Sequence, residues 1–238
     1  MKERINKYLS AQGICSRREA DRLLTAGRVT VNGQPVSVGT KVSSDDQIEI
    51  DGELINNQPV KIYIILNKPV GVITTTDQRR PDNVINFIHL SERVFPVGRL
   101  DVLSSGLLLL TNDGELANRL THPRYRHEKE YDVTVEQAVT DDQLELLKTG
   151  LKLADGPTLP AKVRRFDANR FRIVLREGRN RQIRRMCEAL GLEIRRLKRV
   201  RVHTLKLGRL PIGHWRELTK KEVTELSSDR PSKQGRMR

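Results

Sequence analysis

The chain is expected to fold as α+β, with a small N-terminal helix-pair and hairpin domain followed by a larger domain on a mixed, mainly antiparallel sheet. Helical spacing and a strong two-residue turn signal fall within the first 53 residues, whereas beyond residue 60 short β-branched runs outnumber helical segments. A length of 238 residues with 37% hydrophobic content is enough for one large core, or a large and a small one.

Arg4, Ile5, Tyr8 and Leu9 recur at helical spacing, and Gly13 stops that helix. Ser16, with Glu19 three residues on, reads as the capping box of a second helix that runs to about Ala26 before Gly27. Residues 28–34 alternate into Asn32-Gly33, the strongest short signal for a hairpin. This unit is placed at residues 1–56. Residues 57–60 close a stretch with Asn, Gln and Pro and no periodicity, so they suit a linker. The larger domain is placed at residues 61–226. Its predicted strands are 63–66 and 72–75, on either side of Lys68-Pro69, then 94–97, 107–110, 131–135 and 171–175. Helices are predicted over about 115–121, 141–149, 180–190 and 219–226. Residues 227–238 have no apolar pattern and gain Arg230, Lys233, Arg236 and Arg238, the composition of a disordered basic tail.

Charge narrows the partner. Lys and Arg total 44 against 30 acidic residues, a formal net charge of +14 that favours a polyanion over a neutral metabolite. Aromatic residues make up only 4%, so the core rests on Leu, Ile and Val, and each well-placed ring matters more. The polar start and the lack of a run near the roughly 18 apolar residues of a bilayer span predict a cytoplasmic protein without a membrane partner. Cys15 and Cys187 lie far apart, and the histidines are scattered without ligand spacing, so neither a metal site nor a disulfide framework is expected.

Basic residues crowd the first half of the N-terminal unit: Arg4, Lys7, Arg17, Arg18 and Arg22 among them. On spacing alone these are two solvated helix faces. Residues 4–36, RINKYLSAQGICSRREADRLLTAGRVTVNGQPV, resemble the S4 RNA-binding domain. That resemblance implies that the arginines of the second helix meet phosphates of folded RNA, in a shape-reading and salt-sensitive contact.

The most informative stretch is GRLDVLSSGLLLLTNDG, residues 98–114. It places Asp101 beside Arg99 in a loop between two apolar strands, at the edge of a core where a carboxylate needs cationic partners. The residues alone leave open that Asp101 merely caps a turn. The stretch resembles the catalytic motif of pseudouridine synthases of the RsuA family, in which the matching Asp is essential; Ser104 stands where that family commonly has Thr, so a hydroxyl is kept. Two further segments fit the same resemblance. Lys129-Glu130-Tyr131 is similar to the element that stacks a ring on the target base, with Arg124, Arg126 and His127 just before it to grip the RNA backbone. Gly178-Arg179-Asn180-Arg181-Gln182-Ile183-Arg184 is similar to the element whose last Arg, here Arg184, pairs with the catalytic Asp.

Residues 179–206 hold ten Arg or Lys against two acids, Glu188 and Glu193. Arg99, Arg179, Arg181 and Arg185 are taken as further RNA contacts. Arg195, Arg196, Lys198, Arg199 and Arg201 alternate in part with Ile194, Leu197, Val200 and Val202, so one sheet face could pack while the other tracks phosphates.

The resemblance implies an isomerase that turns a uridine of structured RNA into pseudouridine. The spellings EKEY and NRQIRRMC look most like RluF-type synthases of 23S ribosomal RNA, with a transfer RNA as a conceivable second substrate. Breaking the C1′–N1 bond and rejoining through C5 needs no redox change or added group, so no cofactor and no metal is expected. A carboxylate can attack C1′, attack C6 or take the 2′ proton, and all three routes give Asp101 a central part. The rival is a non-catalytic S4-domain RNA-binding or ribosome-assembly protein, whose signature is a lost Asp, Tyr or Arg; Asp101, Tyr131 and Arg184 are all present. The protein is expected to be monomeric. Deleting residues 1–56 is expected to weaken RNA binding and flatten its salt dependence while the remainder stays folded. Filter binding across a salt series checks this, and an unchanged affinity and slope removes the docking role.

Overall fold

The computed structural model describes residues 2–56 and 59–228. The chain divides into two compact units: Met1–Lys61 with Leu90–Arg93 and Asn112–Gly114, and Ile62–His89 with Val94–Thr111 and Glu115–Arg238.

In the first unit a short strand β1 (Glu3–Arg4) leads into helices α1 (Ile5–Ala11) and α2 (Arg17–Thr25). The strands that follow are β2 (Val29–Val31), β3 (Gln34–Pro35), β4 (Lys41–Val42), β5 (Ile48–Ile50) and β6 (Glu53–Leu54). β1 pairs with β4, and the others form a sheet in the order β3-β2-β5-β6. Asn32 and Gly33 both adopt positive φ, 51° and 76°, which is the turn whose twist matches a two-residue hairpin. A second turn of the same kind, Asp51-Gly52, joins β5 to β6. Ile5, Leu9, Ala20, Leu24, Val29, Val42 and Ile48 make the core. The expected capping box at α2 is one-sided: Ser16 Oγ accepts from the Glu19 amide at 3.1 Å, but the Glu19 carboxylate turns to Arg22 at 2.9 Å.

The second unit is built on a 9-stranded mixed sheet. Its strands are β7 (Tyr63–Lys68), β8 (Phe95–Pro96), β9 (Ser105–Thr111), β10 (Lys129–Val135), β13 (Lys162–Asp167), β14 (Arg170–Leu175), β15 (Ile194–Val202), β16 (Leu205–Lys206) and β17 (Trp215–Glu217); a separate hairpin comprises β11 (Lys152–Leu153) and β12 (Gly156–Pro157). The order across the sheet is β13-β14-β10-β15-β9-β7-β17. All pairs are antiparallel except β9 with β15. Helices α3 (Gly114–Thr121), α4 (Asp141–Thr149), α5 (Gln182–Ala189) and α6 (Lys220–Ser227) complete it. Thr140 with Gln143, and Thr219 with Glu222, form reciprocal capping boxes that fix where α4 and α6 begin.

Two cores result. One packs α4 and α5 on Val133, Val135, Phe171, Ile173 and Leu197; the other packs α3 and α6 on Ile65, Leu107, Leu109, Val202 and Leu205.

Four expectations need correction. Residues 72–75 form no strand beyond an isolated bridge from Ile73 to Asn83, because the polar groups of this run bond the neighbouring loop instead. β13 and β17 were missed: β13 is polar on both faces, with Arg164, Arg165 and Phe166 exposed, and so has no period-two apolar signal. Ser227, assigned to the tail, is the last residue of α6; residues 229–238 of that tail and residues 57 and 58 of the linker lie outside the described residues. Arg199 and Arg201 do not lie on a phosphate-tracking face; both are committed inside the unit, as described below.

Phe171 is fully buried at the centre of the first core. Phe171→Ala is expected to cost about 3 to 5 kcal/mol of that unit's stability, read from denaturant midpoints at unchanged slope.

Candidate active site

The register of the sheet assembles the site along one row. Lys68 of β7 pairs with Gly106 of β9, Gly106 with Arg199 of β15, Arg199 with Tyr131 of β10, and Tyr131 with Ile173 of β14. At about 4.8 Å per strand, Tyr131 and Gly106 are two strands, or about 10 Å, apart. Gly106 is what lets β9 and β15 run in parallel contact. A Cβ there would lie 2.2 Å from the Arg199 carbonyl oxygen and 2.7 Å from its nitrogen, and φ is +108°, which only glycine adopts readily.

Asp101 lies in the loop that leads into β9. A turn closed by the Ser104 amide on the Asp101 carbonyl, at 3.0 Å, shapes it. The buried Thr74 hydroxyl donates to the Leu100 carbonyl at 2.8 Å and accepts from the Leu100 amide at 3.2 Å, so it grips the residue just before Asp101 from both sides. Gly71 ties in the other side through its amide to the Val102 carbonyl, 2.9 Å. The carboxylate itself keeps 36% side-chain exposure.

Arg184 projects from the first turn of α5 and is largely buried. Its Nε is 3.9 Å from Asp101 Oδ2, while its terminal nitrogen donates to the Leu103 carbonyl at 2.7 Å and to the Ser104 hydroxyl at 3.4 Å. The guanidinium thus clamps the loop more closely than it holds the carboxylate. Among the described residues Nε has no hydrogen-bond partner. Burial lowers the Arg184 pKa from its ordinary value, with Arg181 nearby adding to the effect and Asp101 opposing it.

The sequence reading missed Lys68 and took Arg199 only as one of a basic run; both cations lie near the Asp101 loop. Lys68 is fully buried at the end of β7 and donates to the Pro69 carbonyl at 2.8 Å. Burial pushes its pKa down to about 8, against the attraction of Asp101 and with the repulsion of Arg199. Arg199, 4% exposed, donates to the Leu107 carbonyl at 2.8 Å and the Arg99 carbonyl at 3.3 Å, which links β15 to the strand and loop that present Asp101. The available signal was a lysine closing an otherwise apolar strand, a position that costs free energy without a purpose.

The remaining expected contacts separate into groups. Arg179 is used internally, on the Gly156 carbonyl at 3.0 Å, the Pro157 carbonyl and Glu177 at 3.1 Å; Arg185 makes a forked pair with Asp155 at 2.8 and 2.9 Å. Arg201 pairs with Glu128 at 3.0 Å and with Glu130. Arg99, Arg126 and Arg181 are exposed, the last two at positive φ, and Arg124 is stacked 4.5 Å over the ring of Tyr125. In the first unit Arg4, Arg17 and Arg18 are exposed, Lys7 pairs with Glu3 at 3.1 Å, and Arg22 pairs with Glu19. Tyr131 is half-buried against the core of α4 and α5, at the edge of the row that leads to Gly106. Cys187 is buried, with its thiol pushed up to about 12, and does not take part.

A lysine whose folded pKa of about 8 lies below its ordinary 10.5 binds fewer protons folded than unfolded between those values. Its contribution therefore makes stability rise with pH across that window. Lys68→Met is expected to keep or raise the melting temperature at pH 7 and to remove part of the rise between about pH 8 and 10.5; an unchanged pH profile overturns this.

Residues 62–189 match the family of RNA pseudouridylate synthases, and residues 3–48 match the S4 domain. The chain is 43% identical over 225 residues to the dual-specificity RNA pseudouridine synthase RluF of Escherichia coli K12, covering 94% of this chain and 78% of that protein. It is 40% identical over 233 residues to the ribosomal large subunit pseudouridine synthase B of Bacillus subtilis, covering 94% and 95%. A crystal structure of a pseudouridylate synthase superposes with a TM-score of 0.71 at 30% identity, covering 94% of this chain and 99% of that one. The chain belongs to the RNA pseudouridylate synthase family: it is an isomerase that converts uridine in RNA to pseudouridine, with an S4 RNA-binding domain at its N-terminal side.

Proposed function

We propose that the chain isomerises a uridine of 23S ribosomal RNA in the cytoplasm, as a monomer without metal or cofactor, with Asp101 as the essential carboxylate. The catalytic assignment is supported by the Arg184–Asp101 contact at 3.9 Å, by the closeness of Asp101 to buried Lys68, and by the strand row that joins Lys68, Gly106, Arg199 and Tyr131. The ribosomal target is supported by the names of the relatives, one of which is a ribosomal large subunit synthase and another a dual-specificity enzyme; the second name leaves room for a transfer RNA. Among the described residues no helix is long and apolar enough to cross a membrane.

In this reading the target uridine leaves its stack, at a cost of a few kcal/mol, and its base lies on the face of Tyr131. Asp101 then acts on C1′, on C6 or on the 2′ proton. The C1′–N1 bond breaks, the uracil turns, and the C1′–C5 bond forms; C5 gives up its proton and N1 gains one, so nothing is added or lost overall. The exposed edge of the carboxylate faces the nucleotide while Arg184 keeps the loop from yielding. The N-terminal unit docks folded RNA through exposed arginines such as Arg17 and Arg18.

Asp101→Asn is expected to abolish single-turnover pseudouridine formation while RNA affinity is kept. Arg184→Met should slow it by roughly a hundredfold, in line with the loss of a charge-assisted hydrogen bond of about 1.5 to 3 kcal/mol, and Arg184→Lys should fall between. Tyr131→Phe should keep more activity than Tyr131→Leu. A folded Asp101→Asn protein that still modifies RNA removes the assignment, and equal complete loss in both Tyr131 variants makes its hydroxyl a proton carrier instead. Pseudouridine mapping of ribosomal and transfer RNA from a strain lacking the protein tests the target.

A further inference from the structure

The period of two that turns Tyr131 and Arg199 toward the active-site row turns their neighbours to the opposite face of the same strands. There Arg164 pairs across the sheet with Arg172, Arg172 with Asp132, and Asp132 with Lys198. The next outer row runs from Arg170 to Thr134 to Arg196. The helices α4 and α5 pack on the other side, against Val133, Phe171, Ile173 and Leu197, and the outer residues are correspondingly open: Arg164, Arg170 and Arg196 are exposed.

Three features distinguish this face from an ordinary solvated one. Its acids are already engaged: Arg172 binds Asp132 at 2.7 Å and Glu130 at 3.3 Å, and Lys162 and Arg201 bind Glu128 at 3.1 and 3.0 Å. Among the described residues Arg164, Arg196 and Lys198 make no ion pair, so the net field is positive. Phe166, on the edge strand β13, stands 42% exposed, with the guanidinium carbons of Arg164 and Arg172 5.8 and 4.9 Å from its ring centroid. In a chain with only 4% aromatic residues, an exposed phenyl ring held by two arginines is a costly thing to leave in water. Between the rows lies a shallow cavity of about 230 Å³, lined by Asp132, Thr134, Arg170, Arg196 and Lys198.

We propose that this outer face is a second RNA-docking surface, on which a single-stranded segment flanking the target places one base on Phe166 and phosphates against Arg164, Arg196 and Lys198. From β13 to β15 the face is three strand spacings, about 14 Å, wide, which suits a short single strand rather than a duplex. Ring stacking with a basic track is the general device for holding single strands without reading their sequence. The neighbouring guanidinium groups add cation–π attraction to the ring. Asp132 is no obstacle, because Arg172 already neutralises it. The inference rests on the reading that the target uridine occupies the opposite face, and its effect is to anchor RNA that passes around the β13 edge of the sheet.

The test uses the full chain and one stem-loop RNA that it modifies, prepared with and without single-stranded flanks of about ten nucleotides. Arg164→Glu/Arg196→Glu/Lys198→Glu is expected to lose tenfold or more affinity for the flanked RNA. Its salt slope should fall by about two, since three single-strand phosphate contacts contribute about 0.7 each. Affinity for the bare stem-loop and single-turnover rate on it should match the parent. Phe166→Ala should weaken the flanked RNA alone and erase photocrosslinks from 4-thiouridine in the flank to residues 162–174. Equal affinities of parent and variants for flanked RNA overturn the proposal. Unchanged RNA affinity with lost binding to purified ribosomal proteins assigns the face to protein and overturns it as well. A folded Asp101→Asn protein that still modifies the bare stem-loop is a failure of the catalytic reading, not of this one.

Discussion

The close approach of two backbones at Gly106 and Arg199 decides the strand row that carries Lys68, Arg199 and Tyr131. β9 and β15 can pair in parallel there because residue 106 has no Cβ to meet the Arg199 carbonyl. That pairing joins a β7–β9 half of the sheet to a β10–β14 half, and so brings Lys68, Arg199 and Tyr131 into one row although they are spread over much of the sequence. Parallel contact between distant strands is slow to form and unsupported by any local turn, so one crowded contact secures it. Arg199 reinforces the join with side-chain bonds to Leu107 and Arg99, one on the strand and one beside Asp101.

Around Asp101 the structure places more positive charge than one carboxylate can balance. Arg184 is largely buried, Lys68 and Arg199 almost wholly so, and their hydrogen bonds run to backbone carbonyls and, for Arg184, the Ser104 hydroxyl, rather than to carboxylates. Buried cations of this kind are destabilising unless something compensates. On the function proposed above, a negatively charged polymer and a base that gains electron density during rearrangement are such partners. The leucine- and valine-rich cores on either side supply the stability that tolerates these cations in the free protein.

Charge is also divided by strand periodicity. On β10 and β15 alternate residues look toward the helices and the catalytic row or toward the outer face, and arginine occurs in both sets for different reasons. Inward, Arg199 replaces packing with hydrogen bonds; outward, Arg196 and Lys198 make no ion pair among the described residues; at the end of the strand, Arg201 closes on Glu128 and Glu130. The same residue type in one basic run therefore performs three physical tasks.

Much was fixed by local sequence alone. Asn32-Gly33 set its hairpin, Thr140 and Thr219 set the starts of α4 and α6, and the apolar run 107–110 gave the central strand, because each depends on neighbours a few residues away. The long motifs around Asp101, Tyr131 and Arg184 were legible for the same reason, as contiguous strings whose family could be seen without coordinates. What only the tertiary structure decided was which residues serve those motifs from afar. Nothing in 72–75 announced that Thr74 would grip Leu100 rather than extend a strand, nothing near residue 68 that its lysine would be buried beneath Asp101, and nothing in the run 195–201 which arginine would turn inward. Those outcomes follow from strand register, and register between segments far apart in the chain is set by the packing of whole faces and by a single glycine contact.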